Sequence, residues 1–248
     1  MRYFLLVLML FCRTGPVLAK ETCIYCKGDT QLQVLQFADG PKSVCALCLK
    51  KYPACSICGN PTNLPQHRDQ RFFCPSCKKT GIFSDTQAIG LQKEVVNFLQ
   101  SQLGPTALNP CPPIRMCDKD ELQTKFIEHG RAMNVGGFYS PYNPEMVYLL
   151  TGESAIELQS TMAHEYTHAW QSRNCGQQDR AVTEGFATYI QYKFLVSKGK
   201  MHMAERLTRH QDPDYGASLN KLLEREKSMG GVKNVVEWAK KARSLNDK

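Results

Sequence analysis

The chain has 248 residues, a formal net charge of +8 and twelve cysteines, a length that holds one moderate domain and a small one. Its charge is a poor argument for a nucleic-acid partner: loss of a basic leader, and ligation of two zinc ions by eight thiolates, would lower it to about +2. No long basic run compensates, and no segment after residue 19 is apolar enough to cross a membrane, so neither nucleic acid nor a stable membrane span is expected.

In chain order, Arg2 precedes an apolar run, Tyr3 to Cys12, that is too short to span a bilayer as a helix. Val17-Leu18-Ala19 fits the small-x-small rule of signal peptidase. Residues 1–19 are read as a signal peptide cleaved after Ala19, and the product as secreted or periplasmic.

Residues 20–80 hold four Cys-x-x-Cys pairs: Cys23/Cys26, Cys45/Cys48, Cys55/Cys58 and Cys74/Cys77. Each pair sits on a turn short enough to aim two sulfurs at one ion, as tetrahedral zinc requires. Loop lengths favour sequential sites, the first two pairs together and the last two together, with cross-bracing as the alternative. Strand-like stretches run through 31–37 and 71–73. His67 is read as a surface loop residue rather than a substitute ligand. So small a module lacks a full core, and metal would supply its folding energy. Its expected task is structural or protein-binding, since a closed four-sulfur site has no room for water.

Lys78-Lys79-Thr80-Gly81 reads as a linker. A helix is predicted over 86–103, with Ile89, Val95, Val96, Leu99 and Leu103 at helical spacing and Gly104-Pro105 as its stop. Residues 105–113 are loop; 114–117 is a short strand, and Cys111 with Cys117 could close a disulfide. Strands are predicted over 136–139 and 146–150.

His164-Glu165-Tyr166-Thr167-His168 lies in a stretch free of Gly and Pro, 154–173, capped by Ser154 or Thr151. Residues four apart stack on one helix face, so both imidazoles reach one ion. Glu165, about 100° away, faces a water at that ion and is the candidate general base. Gln171 and Asn174 stand where a metzincin carries glycine and a third histidine. The third ligand is therefore assigned to Glu184, in Thr183-Glu184-Gly185-Phe186-Ala187, with Asp179, His202 and His210 in reserve. Tyr215, in the turn Asp212-Pro213-Asp214-Tyr215-Gly216, is the candidate for steadying the oxyanion. Helices are expected at 201–210, 216–228 and 232–244.

Taken together, Val147-Tyr148-Leu149-Leu150-Thr151-Gly152, Thr161-Met162-Ala163-His164-Glu165-Tyr166-Thr167-His168-Ala169-Trp170 and Glu184-Gly185-Phe186-Ala187 resemble the C-terminal peptidase domain of the plant organ-size-limiting LIM peptidases and their bacterial relatives. The resemblance implies endopeptidase activity, His164, His168 and Glu184 as ligands, and Glu165 as base. Six residues separate Cys48 from Cys55, more than a LIM module allows, and no ubiquitin-interacting helix is evident.

The sequence thus predicts an α+β protein: a zinc-ribbon or LIM-like module at 20–80, then a mainly helical gluzincin-type zinc metallopeptidase domain with a small sheet at 84–248. One catalytic and two structural zinc ions are expected, with a protein or peptide as substrate and the module available to a protein partner. The alternative is an adaptor with an inactive peptidase fold.

Overall fold

The computed structural model describes residues 21–37, 39–128 and 136–247; the expected leader at 1–19 lies outside them. The chain is α+β, about half helical, with one two-stranded and one three-stranded sheet among the described residues.

Strands β1 (Leu32–Phe37) and β2 (Gly40–Cys45) form an antiparallel hairpin in register Leu32↔Cys45. Two short helices follow, α1 (Ala46–Lys51) and α2 (Pro75–Thr80). Each begins at a cysteine: Cys45 and Cys74 occupy the N-caps, and their sulfurs accept the N–H of Cys48 and Cys77 at 3.4 Å. Besides six cysteines, the buried cluster of this region contains only Phe37 and Val44, which fits a module dependent on metal for its stability.

Residues 71–73, expected to be strand-like, form no ladder. The chain turns tightly just before them, with Gln70 donating to the His67 carbonyl and carrying a φ of 64°. The supposed linker is also not free chain. Lys78, Lys79 and Thr80 are the last turn of α2, and Gly81 is wedged against the rest of the protein: a Cβ there would lie 2.7 Å from the Gly152 carbonyl oxygen. Main-chain bonds Ile82 N–H to Glu153 O and Gly152 N–H to Ile82 O fix the crossing.

Helix α3 (Asp85–Leu103) starts one residue earlier than predicted, capped by Ser84, whose side chain accepts from Gln87 N–H. Val95, Leu99 and Leu103 are buried, while Ile89 faces solvent. Strand β3 (Ile114–Cys117) leads into α4 (Lys119–Glu128), a helix the sequence reading missed. Its signal was present: Asp120 and Glu121 in the first turn, and Leu122 and Phe126 one turn apart and buried.

Strands β4 (Gly137–Ser140) and β5 (Met146–Leu150) complete the second sheet in the order β3-β5-β4, with β3 parallel and β4 antiparallel to β5. Since β5 is central, both its edges are occupied. Any pairing of an extended substrate with residues 147–150 is thereby ruled out; among the described residues β3 and β4 are the edge strands, and β4 packs against α5.

Five helices follow: α5 (Ala155–Asn174), α6 (Arg180–Ser197), α7 (Met201–Thr208), α8 (Gly216–Met229) and α9 (Val232–Ala239). Ser154 and Glu157 form a reciprocal capping box at the start of α5. That helix is apolar on most sides because α3, α6, β4 and β5 all pack against it, and Leu158, Met162, Tyr166 and Trp170 are completely or almost completely buried.

Candidate metal centre

Helices α5 and α6 place three donors around one point. His164 Nε2 and His168 Nε2 are 3.0 Å apart, and each is 3.4 Å from Glu184 Oε2. Tetrahedral ligands about 2.0–2.1 Å from zinc would be separated by roughly 3.3–3.4 Å. A point about 1.9 Å from all three atoms lies within their triangle, so an ion slightly out of that plane fits all three and keeps a position open. All three side chains are largely buried. Converging lone pairs in so dry a place are costly unless a cation or shared protons lie among them. These residues therefore fit a metal such as zinc. Among the described residues three groups could hold a metal ion, this triad and the two cysteine groups below.

The electrostatics agree with this arrangement. Burial opposes ionisation of Glu184, but the imidazoles of His164 and His168 outweigh it and hold the carboxyl well below the usual carboxylate range. For His168 burial disfavours the cation, and Glu184 more than reverses the effect. Glu165 behaves oppositely: burial raises its carboxyl, despite the two histidines, and Glu184 adds to the rise. The main-chain amide of Tyr139 in β4 works the other way and favours the carboxylate. A buried carboxyl with raised basicity beside a metal triad is suited to moving a proton.

Tyr215, expected to steady an oxyanion, is at the N-cap of α8 and lies beside His164. Its ring stacks on His164, with centroids 6.0 Å apart and planes 12° from parallel. Burial and then the Glu184 carboxylate raise its phenol, while Arg180 donates toward it. The reserve ligands stay outside. Asp179 caps α6 by accepting from Val182 N–H at 2.8 Å; His202 is exposed, and His210 packs against Tyr215 with the ring planes tilted by 42°.

The eight cysteines form two groups, Cys23/Cys26/Cys45/Cys48 and Cys55/Cys58/Cys74/Cys77, each with its sulfurs within 4.8 Å of one another. This is the sequential pairing. Cys26 Sγ to Cys45 Sγ is 3.6 Å and Cys58 Sγ to Cys74 Sγ is 3.8 Å, against roughly 3.8 Å for tetrahedral zinc with sulfur at ~2.3 Å. Both groups could hold metal. His67 joins neither; its Nδ1 is 2.7 Å from Asp69 Oδ1.

The proposed Cys111–Cys117 disulfide is absent, and Cys175 is also a free thiol. Cys111 accepts from Gln92 Nε2, whereas Cys117 is buried with Leu122, Phe126 and Phe138 on the other side of the sheet. Two contributors to the centre escaped the sequence reading. Tyr139 acts through its main chain, which no side-chain pattern reveals. Gln171 accepts from His168 Nδ1 at 3.0 Å, and only its position one turn after the histidine hinted at this.

Comparison of the chain with family models, curated proteins and solved structures gives no match.

Proposed function

We propose that the protein is a zinc-dependent endopeptidase of the gluzincin type, with His164, His168 and Glu184 as ligands and Glu165 as general base and acid. The observation that carries this reading is the pairing of a three-donor centre that keeps a position open with a buried carboxyl of raised pKa one residue from the first ligand. A site that only held structure would need no such base.

Zinc, when bound, supplies Lewis acidity and lowers the pKa of a water beside it toward neutrality. Glu165 takes that water's proton, the water oxygen bonds to the scissile carbonyl carbon, and the carbon–nitrogen bond breaks. Glu165 then delivers the proton to the departing amine. Tyr215 would steady the oxyanion that forms between these steps.

Among the described residues β4 pairs on one side only, with β5, which supports an extended peptide as substrate. The bond from Leu150 N–H to Gly136 O makes residues 136, 138 and 140 the inward-bonded ones, so Gly137 and Tyr139 present main-chain groups away from β5. The cysteine groups would hold two structural zinc ions in a LIM-like module. Val34 and Leu47, strongly exposed on it, offer a protein partner apolar contact. The resemblance to the LIM-peptidase family and a leader cleaved after Ala19, giving a secreted or periplasmic enzyme, belong to the same proposal.

Metal analysis and a peptide-library digest of wild type and Glu165→Gln test it. Three zinc ions per chain in both, with cleavage by wild type alone, is expected. Equal cleavage by the two removes Glu165 from the mechanism. Three zinc ions without cleavage by wild type favours the adaptor reading.

A further inference from the structure

Hydrogen bonds of fixed polarity run from the last described helix into the metal triad. Gln178 Nε2 lies 2.7 Å from the Ala239 carbonyl and 3.3 Å from that of Ala242. Main-chain carbonyls only accept, so they fix the orientation of this amide: the nitrogen faces α9 and the oxygen faces back. Gln178 Oε1 then receives Gln171 Nε2 at 3.2 Å, and the same Nε2 reaches the Thr183 carbonyl at 3.1 Å. Two acceptors again leave no choice, and Gln171 Oε1 is turned to His168 Nδ1 at 3.0 Å. An amide oxygen cannot donate, so the proton of neutral His168 sits on Nδ1 and the lone pair on Nε2, the atom that faces His164 and Glu184.

We propose that Gln171 is a positioning residue of the metal centre, one that sets the tautomer and ring orientation of His168, and that Gln178 sets Gln171 in turn. Gln171 also joins the two ligand-bearing helices: it lies on α5, one turn after His168, and donates to Thr183, the residue before Glu184 on α6. It is almost fully buried, so no water competes for its amide. His164 has no such partner: its Nδ1 is buried without a hydrogen bond. The preorganisation of the imidazole pair therefore falls mainly on His168. Metal-ligating histidines are commonly held this way through the second nitrogen, and loss of the partner weakens metal binding.

The inference rests on the metal reading of the triad, and its test separates the two. Zinc is titrated out by chelator competition from wild type, Gln171→Met, Gln171→Glu and Gln178→Met, the triad equivalent being the one missing from Glu184→Ala. Gln171→Met, similar in volume but unable to accept, should lower affinity at the triad on the order of 10–100-fold and leave the cysteine sites unchanged. Gln178→Met, farther from the centre, should lower it less. With the triad stripped of metal, nitrogen NMR of labelled histidine should show neutral His168 protonated at Nδ1 in wild type. The same form is expected in Gln171→Glu, which keeps an acceptor, and a shift toward the other tautomer in Gln171→Met. Wild-type affinity and tautomer in a folded Gln171→Met overturn the proposal. A wild type with only two zinc ions defeats the metal reading, and the tautomer of Gln171→Met still decides the relay.

Discussion

Arg71 in the cysteine-rich region grips Thr151, in the turn that leads into the helix bearing the two histidines. Its Nη1 donates to the Thr151 carbonyl at 2.7 Å and its Nη2 to the Thr151 hydroxyl at 2.9 Å. Behind it the fully buried Asp69 accepts from Arg71 Nε at 2.8 Å and from Lys119 N–H at 3.0 Å. Burial disfavours this carboxylate, but Arg71, the Lys119 N–H and His67 together hold it well below its usual range. The loop carrying both residues is closed by the second cysteine group, so that group and the entry to α5 share one scaffold.

Removing one member of that pair leaves the other charge buried and uncompensated. Arg71→Met should cost about 3–5 kcal/mol in chemical denaturation, and the double change with Asp69→Asn less than the single one. If the double variant is the weaker protein, the pair is not the source of the effect.

Glu153 provides a pH dependence away from the metal ligands. Burial first, and then neighbouring Glu157, push its carboxyl up to about 7. The folded state therefore favours the neutral acid. The associated stability is complete below the unfolded value near 4.5 and is lost as pH rises through about 7. Glu153→Gln should flatten that part of the stability curve and gain ~1–2 kcal/mol at pH 8. Melting curves across the range would check this, and parallel profiles for the two proteins would refute it.

Tyr215→Phe tests the hydroxyl whose pKa burial and then Glu184 raise. If it acts on the developing oxyanion, kcat should fall on the order of 10–1000-fold with KM and zinc content little changed. A loss of zinc without that kinetic pattern would assign the hydroxyl to holding the ligand carboxylate.

Gly185 follows Glu184 and faces α8. A Cβ there would come within 2.5 Å of Ser218 Cβ, and both are backbone-linked atoms with little freedom to yield. Gly185→Ala should destabilise the fold by about 1–3 kcal/mol and move α8 with Tyr215, measurable as a lower Tm together with reduced cleavage. An unchanged Tm would mean that the helices separate at no cost.

Much of the centre was legible in the sequence because it is local. His164 and His168 are one turn apart on a helix whose cap, Ser154 with Glu157, is also written nearby, and the cysteine pairs carry their geometry in their spacing. Glu184 was within reach because few residues separate the two ligand helices and metzincin positions were filled by the wrong types. The α4 helix was missed through a short amphipathic signal rather than its absence.

Other features depended on contacts that spacing does not encode. Arg71 and Thr151 are 80 residues apart, and nothing in 78–81 announces that Gly81 is pressed against Gly152. The central place of β5, and with it the edge position of β4, follows from the parallel pairing of β3, a partner about 30 positions earlier. The orientation of His168 is traced to carbonyls on α9. Sequence alone determined which groups have the chemistry to hold metal and move a proton, since residue type and helical period decide that. The folded chain decided which main-chain acceptors and buried charges surround them, because packing brings together residues whose separation along the chain carries no signal.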